Sequence, residues 1–377
     1  MRHFVLVLVV VLETGRAGIV PTVVNEILSI GNMTDLSVIR ACHRSPKKDP
    51  AAMSPEVHSR FSSEIRDHCF SRFGVTAAHM VSERHAFIFD AITSTGTCIL
   101  KVTHLSHRSY GQLEAELEWL SYLVGKGVPA PRIHRSINSL FIERAPAADG
   151  YFSVICYEKL VGETIADALL TEALFRPWGT LIGKLHRLSF SYLPKTQRYA
   201  WYESDFLNVE RYIPVDHDIR TNAQRIIQEV KDLPLSQFQY GLIHADVYQE
   251  NMFLADGELF LFDFDNCEYG HYISDIAIAL YAALWRVTNG ADRAEFSERF
   301  LRSLLVGYRE VHQLSRTEIE ALPLFLQLRE VLIYTVAKKM LDLKNLTPIQ
   351  DRLLTERGNR IRKNEPIVDL KSALRSL

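Results

Sequence analysis

The chain has 377 residues, of which 47% are hydrophobic and 23% charged, the balance of a folded globular protein rather than a disordered, collagen-like or low-complexity one. At roughly 150 residues per domain this length predicts two domains or two lobes with ample buried core. Lys and Arg total 43 against 45 Asp and Glu, a formal charge of −2, so no basic excess points to nucleic acid. The cysteines (Cys42, Cys69, Cys98, Cys156 and Cys267) are odd in number and scattered. No CxxC or Cys/His spacing suggests zinc, and no disulfide framework is implied, so they read as reduced thiols of a cytoplasmic protein.

Residues 1 to about 54 read as an N-terminal extension. The apolar run Phe4 to Leu12 behind Arg2 and His3 is similar to a short signal-peptide core, with Ala17-Gly18 as a weak cleavage site. Glu13 and Arg16 sit badly in such a site, and the run is too short to span a bilayer. The stretch His43 to Pro50, with two prolines, reads as a linker.

Regular patterning begins near Ser54-Pro-Glu, a cap, proline and acidic first turn that predict a helix towards Phe73. The β-rich runs Ala86 to Ile92 and Thr97 to Thr103 flank Thr93-Ser-Thr-Gly96 and predict a hairpin. Leu113, Leu117, Leu120 and Leu123, three and four residues apart, predict a helix from Tyr110 to Val124. After Gly127-Val-Pro-Ala-Pro131, strands at Leu140 to Glu143 and Tyr151 to Glu158 complete a small sheet, and from Thr164 the pattern is mostly helical. The expected architecture is α+β: a small β-rich N-lobe over 55–156 and a larger, mostly helical C-lobe over 157–377.

The helical pattern breaks at Tyr240-Gly-Leu-Ile-His-Ala-Asp-Val-Tyr-Gln-Glu-Asn-Met-Phe-Leu254, where apolar flanks hold a polar loop containing His244, Asp246 and Asn251. About ten residues on, Asp263 and Asp265 end the apolar run Leu259-Phe-Leu-Phe. Two acids and an Asn delivered by neighbouring strand ends suit a hard, oxygen-seeking cation such as Mg²⁺. A further carboxylate, Asp246, would take a proton from a hydroxyl beside that cation. Metal, base and positioning are what phosphoryl transfer needs.

HxDxxxxN followed by Asp-Phe-Asp resembles the aminoglycoside phosphotransferase and choline kinase superfamily, and the resemblance implies a bilobal, protein-kinase-like fold over about residues 56 to 345. It implies that Asp246 is the catalytic base and that Asn251 and Asp263 bind Mg²⁺. His244 would brace the loop, Asp265 would be a secondary acid near the metal, and Asp275, in Ser274-Asp-Ile-Ala277, would support the loop. Lys101, in Cys98-Ile-Leu-Lys-Val102, is similar to the ATP-anchoring lysine, and Glu116 to the helix glutamate that orients it, with Glu114 and Glu118 competing for that role. Tyr157-Glu158-Lys-Leu160 resembles the hinge that meets adenine. One element departs from the pattern: Met80 to Ala86, where the family carries a phosphate-covering turn, has no glycine, and Ser82 would help supply the turn. The Val-Pro-Ala-Pro element, Trp178 to His186 and the run from Asp263 to Gly270 resemble the homoserine-kinase-like branch, which includes amicoumacin-type antibiotic kinases.

The expected function is therefore ATP- and Mg²⁺-dependent transfer of the γ-phosphate to a hydroxyl of a small molecule, an amino alcohol, an amino-acid-like compound or an antibiotic. The alternatives are a Ser/Thr protein kinase of the same fold and an inactive pseudokinase binding module. The expected partner is a small-molecule substrate, with no nucleic acid and no membrane, in a monomer or homodimer. His186 is expected to be a hydrogen-bonded structural histidine, Arg329-Glu330 an ordinary intrahelical or interhelical ion pair in preference to a pair facing the substrate cleft, and Arg357 to Lys363 a solvated basic helix or tail. Tyr199-Ala-Trp-Tyr202 fits either a substrate pocket or a packed loop.

Overall fold

A computed structural model of the chain describes residues 55–83, 86–165, 171–235, 240–285, 287 and 290–377. The N-terminal extension with Cys42, and residues 84–85 of the expected phosphate loop, lie outside the described residues.

Two short helices, α1 (Pro55–Arg60) and α2 (Ser63–Arg72), replace the single helix expected there. Ser62 causes the break: it is extended, and its hydroxyl accepts from the Ile65 amide as the N-cap of α2. The strands β1 (Val75–Ser82), β2 (Phe87–Thr93), β3 (Gly96–His104), β4 (Ile133–His134), β5 (Glu143–Ala147) and β6 (Gly150–Glu158) form an antiparallel sheet ordered β1-β2-β3-β6-β4, with β5 also on β6. The β2–β3 hairpin and β6 stand where the sequence puts them. β5 starts at Glu143, because Ser136 to Leu140 is a turn with Ser139 at positive φ.

Strand alternation gives this sheet two different faces. Leu100 and Val102 of β3 and Phe152, Val154 and Cys156 of β6 pack under α1 and α2 against Phe61, Phe70 and Cys69. Ile99, Tyr157 and Ile155 point the other way, towards α3 (Tyr110–Gly125), and Lys101 shares their face. The side chain carrying charge into the interior is thus placed by register with its neighbours Ile88 and Ile155.

The chain leaves the sheet through β7 (Glu163–Thr164), which pairs with β9 (Met252–Ala255), and enters a helical body. Its helices α4 (Glu172–Phe190), α5 (His217–Lys231), α6 (Tyr272–Leu284), α7 (Gly290–Arg309), α8 (Leu322–Met340) and α9 (Pro348–Lys363) share one core. Helices α4 and α7 touch at backbone distance: a Cβ at Gly179 would overlap the Leu304 carbonyl oxygen, and one at Gly307 that of Arg176. Two ribbons, β8 (Tyr240–Ile243) with β11 (Glu268–His271) and β9 with β10 (Glu258–Leu261), rise from this body, and the loops at their ends carry the acidic residues singled out above. Among the described residues no helix is long and apolar enough to cross a membrane.

Candidate active site

The loop after β8 is tied to the first turn of α6 by one carboxylate. Asp275, fully buried, accepts from the Ala245 amide (2.8 Å) and the His244 amide (3.0 Å), and its Oδ2 lies 3.2 Å from His186 Nε2. His186 continues the chain to the Tyr308 hydroxyl (2.8 Å) and stacks on Tyr272, so it is the structural histidine the sequence suggests. His244 spans the loop, with Nε2 donating to the Phe262 carbonyl (3.2 Å) and Nδ1 accepting from the Asp246 amide (3.2 Å). Burial pulls its imidazole down to about 4, against the opposing pull of Asp275 and that carbonyl, so the ring is neutral with this tautomer at pH 7. Ala245 and Asp263 both sit at positive φ, 62° and 61°, strain that this network holds in place.

Asp246 is buried at the centre. Its Oδ2 accepts from the side-chain amides of Asn251 and Asn266 (both 3.2 Å), and its Oδ1 from Arg329 Nη2 (3.2 Å). Burial raises its pKa to about 6, with Arg329 the main opposing influence. The Asn251 amide nitrogen is spent on Asp246, both its backbone oxygen (3.0 Å) and its carboxylate, which leaves Asn251 Oδ1 buried without a hydrogen-bond partner. That orphaned oxygen and the buried Asp263 carboxylate are hard donors of the kind Mg²⁺ takes. Among the described residues no cluster of three or more His, Cys, Asp or Glu could hold an ion by itself.

Lys101 reaches this group from β3. Its Nζ lies 2.7 Å from Asp265 Oδ1 and 3.9 Å from Asp263 Oδ1, and it has no ion pair within 4.0 Å to Glu116. Burial opposes its charge, but Asp265 first, then Glu116 and Asp263, keep its pKa raised. Glu116, buried on α3, accepts from the Tyr157 hydroxyl (3.2 Å). Burial and the Asp265 carboxylate push it up to about 8, while Lys101 and Arg108 hold Asp265 far below the usual carboxylate range despite its burial. Asp265, rather than Glu116, is the carboxylate in contact with the lysine. Glu114 and Glu118 turn away, Glu118 accepting from the Lys195 and Thr196 amides and Glu114 from the Thr196 hydroxyl.

Residues of this group line two separate cavities. One, of about 610 Å³, runs between sheet and helical body; Lys101, Glu116, Tyr157, Glu158, Leu160 and Asp263 are among its lining residues. Glu158 also closes the start of the hinge, its carboxylate accepting from the Arg132 amide (3.0 Å). Ser82 ends β1 paired with Ile88 and does not line this cavity. The other cavity, about 700 Å³, has Trp201, Phe206, Phe325 and Leu328 as apolar walls and Arg329 and Glu268 as charged groups. Asn266 and Arg329, both bonded to Asp246, line this second cavity, and Asp263 lines the first.

Asn266 and Arg198 were not singled out from the sequence, and Arg329 was read there as an ordinary ion pair in preference to a residue of the substrate cleft. Arg329 does not pair with Glu330: it enters the site, while Glu330 bonds Arg360 (2.7 Å) and the Tyr281 hydroxyl (3.0 Å). Of the run expected to be solvated, Arg357 lies buried over the Trp285 ring and Arg360 is partly buried, while Arg362 and Lys363 are exposed. Arg198 donates to the backbone carbonyls of Gln112 (2.6 Å), Cys267 (2.6 Å) and Asp265, clasping α3 to the acidic segment. Beside it, Tyr199 and Trp201 line the second cavity, whereas Tyr202 is half exposed and does not.

A small antiparallel sheet over a helical body, with the loop of buried Asp246 and an acidic strand end between them, is the layout of kinase-like phosphotransferases. The chain belongs to the phosphotransferase enzyme family, which it matches over residues 86–314. It is similar to the amicoumacin kinase of Bacillus subtilis (strain 168), with 31% identity over 301 residues that cover 78% of this chain and 90% of the relative. It superimposes on the structure of an amicoumacin kinase in complex with AMP-PNP, Ca²⁺ and Ami with a TM-score of 0.81 at 29% identity, covering 85% of this chain and 98% of the other. A microcompartment-associated aminopropanol kinase shares the fold at a TM-score of 0.65 and 18% identity, over 80% of this chain and 95% of that one.

Proposed function

We propose that the protein is an ATP- and Mg²⁺-dependent kinase that phosphorylates a hydroxyl of a small molecule of the amicoumacin type. The observation that carries this reading is Asp246, buried with Asn251, Asn266 and Arg329 around it; Asn266 and Arg329 line the acceptor cavity, while Lys101 and Asp263 line the nucleotide cleft. On this reading residues 55–156 form the N-lobe and 157–377 the C-lobe, following the extension 1–54. ATP enters the 610 Å³ cleft, with adenine at Glu158 to Leu160. Lys101, its charge fixed by Asp265, meets the α- and β-phosphates. Asn251 and Asp263 would hold Mg²⁺, which when bound offsets the charge of the phosphates. Asp246 takes up or orients the acceptor's hydroxyl proton, and His244, Asp275 and His186 keep the loop rigid.

The acceptor cavity is a cleft with aromatic and aliphatic walls and convergent polar groups, the form of a small-molecule site rather than a docking face for a protein chain. Glu268 there offers a carboxylate to an ammonium group on the acceptor. The buried free thiols Cys69, Cys98, Cys156 and Cys267, with the need for ATP, support a cytoplasmic setting.

The test is ADP release by the purified protein with ATP and Mg²⁺ across hydroxylated amines, amino acids and antibiotics including amicoumacin. Acceptor-dependent release should fall by about 10³-fold in Asp246→Asn, the size of a general-base contribution. Unchanged turnover in that variant refutes the base assignment. Nucleotide binding with silence on every acceptor refutes the small-molecule kinase.

A further inference from the structure

We propose that Cys98 and Cys156 form a binding site for a soft monovalent cation, Cu(I), held between their two sulfurs on the side of the sheet away from the nucleotide cleft. The site is independent of the kinase chemistry. In the register of β3 on β6, Cys98 is paired with Glu158 and Leu100 with Cys156, so the two cysteines stand one diagonal step apart on neighbouring strands. Both belong to the sheet face that packs under α1 and α2, opposite to Ile99 and Tyr157. Their thiols hydrogen-bond each other, and both line one cavity of about 310 Å³. Thr95, Thr97, His134 and Arg135 line the same cavity and are exposed, so it opens to solvent although the cysteines at its floor are buried.

Diagonal neighbours in an antiparallel pair have Cα atoms about 7–8 Å apart, outside the range in which a disulfide closes without moving the backbone. A bridging cation asks for less. Two metal–sulfur bonds of about 2.3 Å each span up to about 4.6 Å, which covers two thiols in hydrogen-bond contact. Thiolates are soft ligands and select soft cations. Among the described residues no group of three or more His, Cys, Asp or Glu could hold an ion. That sets aside zinc, which takes four ligands, and favours Cu(I), a closed-shell d¹⁰ ion that two thiolates satisfy in a near-linear arrangement. Each thiol gives up its proton on binding, so the bis-thiolate complex carries one negative charge. The Arg135 guanidinium on the same cavity offsets that charge. Asp90, the acid that acts on Cys98 by charge, is itself paired with Lys159 (2.7 Å).

The test is anaerobic titration of the reduced, full-length protein with Cu(I) in competition with bicinchoninate, a chromogenic Cu(I) chelator. The chain should take one Cu(I) from the chelator. Cys98→Ala and Cys156→Ala should each weaken that binding by at least about 100-fold, more than loss of an outer-shell partner costs a metal site. Cys42→Ala, Cys69→Ala and Cys267→Ala should leave it unchanged, and Zn²⁺ should not displace the copper. X-ray absorption at the copper edge should show two sulfur neighbours and no nitrogen. Cys98→Ser and Cys156→Ser, close to cysteine in size, separate loss of a ligand from loss of the fold: they should melt like the unaltered protein and still lose the copper. A protein that takes no copper from the chelator overturns the proposal, as does copper retained by Cys98→Ala or Cys156→Ala, or copper lost equally in Cys42→Ala.

Discussion

Asp275→Asn tests whether the base-bearing loop is held from beneath. The native carboxylate accepts three hydrogen bonds in full burial: the Ala245 amide on Oδ1, and the His244 amide and His186 on Oδ2. An asparagine keeps one oxygen and turns an NH₂ group towards a backbone N–H, so at least one buried amide is left unsatisfied. Losing a hydrogen bond to a charged acceptor costs about 1.5–3 kcal/mol, and the orphaned donor adds about 1–3 kcal/mol. Together these place the loss near 4 kcal/mol. For roughly 300 ordered residues at ~2.1 cal/mol/K each, the unfolding entropy is ~0.6 kcal/mol per degree, so the midpoint should fall by about 6 °C. The loop should also lose its register, because Ala245 is held at φ 62° against its preference. We expect kcat to drop at least tenfold with nucleotide affinity unchanged. Scanning calorimetry and steady-state ADP release measure the two effects. A variant with the wild-type midpoint and wild-type kcat would show that the loop needs no support from α6.

Asp265→Asn should weaken nucleotide binding at least tenfold, because it removes the ion pair that holds Lys101, whereas Glu116→Gln, which replaces an already protonated acid, should change it less than threefold; calorimetric ADP titrations giving the reverse order would return the anchor role to Glu116. His244 is neutral in the fold at about 4 and near 6.5 when unfolded, so the unfolded chain binds the extra proton between those values. Its contribution is full above pH 6.5 and lost as pH falls towards 4, by about 3 kcal/mol in all, and urea midpoints of His244→Asn should lack that acid slope. Gly179→Ala should lower stability by several kcal/mol, since its Cβ overlaps the Leu304 carbonyl and forces α4 from α7; an unchanged melting temperature would contradict that packing.

Much of this was readable from local pattern. The β2–β3 hairpin and α3 follow from β-branched runs around a Gly turn and from leucine spacing, because both are short-range effects. The loop from His244 to Asn251 and the strand-end acids were visible because phosphoryl transfer demands those residue types in one stretch. What stayed hidden depends on contacts across long separations. Asp265 replaces Glu116 beside Lys101 through the packing of β3, α3 and the acidic segment, which no spacing encodes. Arg329 lies 83 residues from Asp246, and in sequence it reads as one more charge on a leucine-rich helix. β1 was missed because its middle is exposed, so no alternation of apolar residues marks it. The α1–α2 break turns on a single serine hydroxyl.

Arg198 draws all three of its acceptors from the main chain: Gln112 on the helix beneath the sheet, and Asp265 and Cys267 in the acidic segment. A guanidinium that reads carbonyls makes its bonds whatever side chains those residues carry. It is not indifferent to where the backbone runs. Any displacement of the segment that bears Asp263 and Asp265 is passed through one rigid fork to the helix that bears Glu116. Glu116 and Asp263, which both line the 610 Å³ cleft from different elements, are thereby tied to one another through main-chain contacts alone.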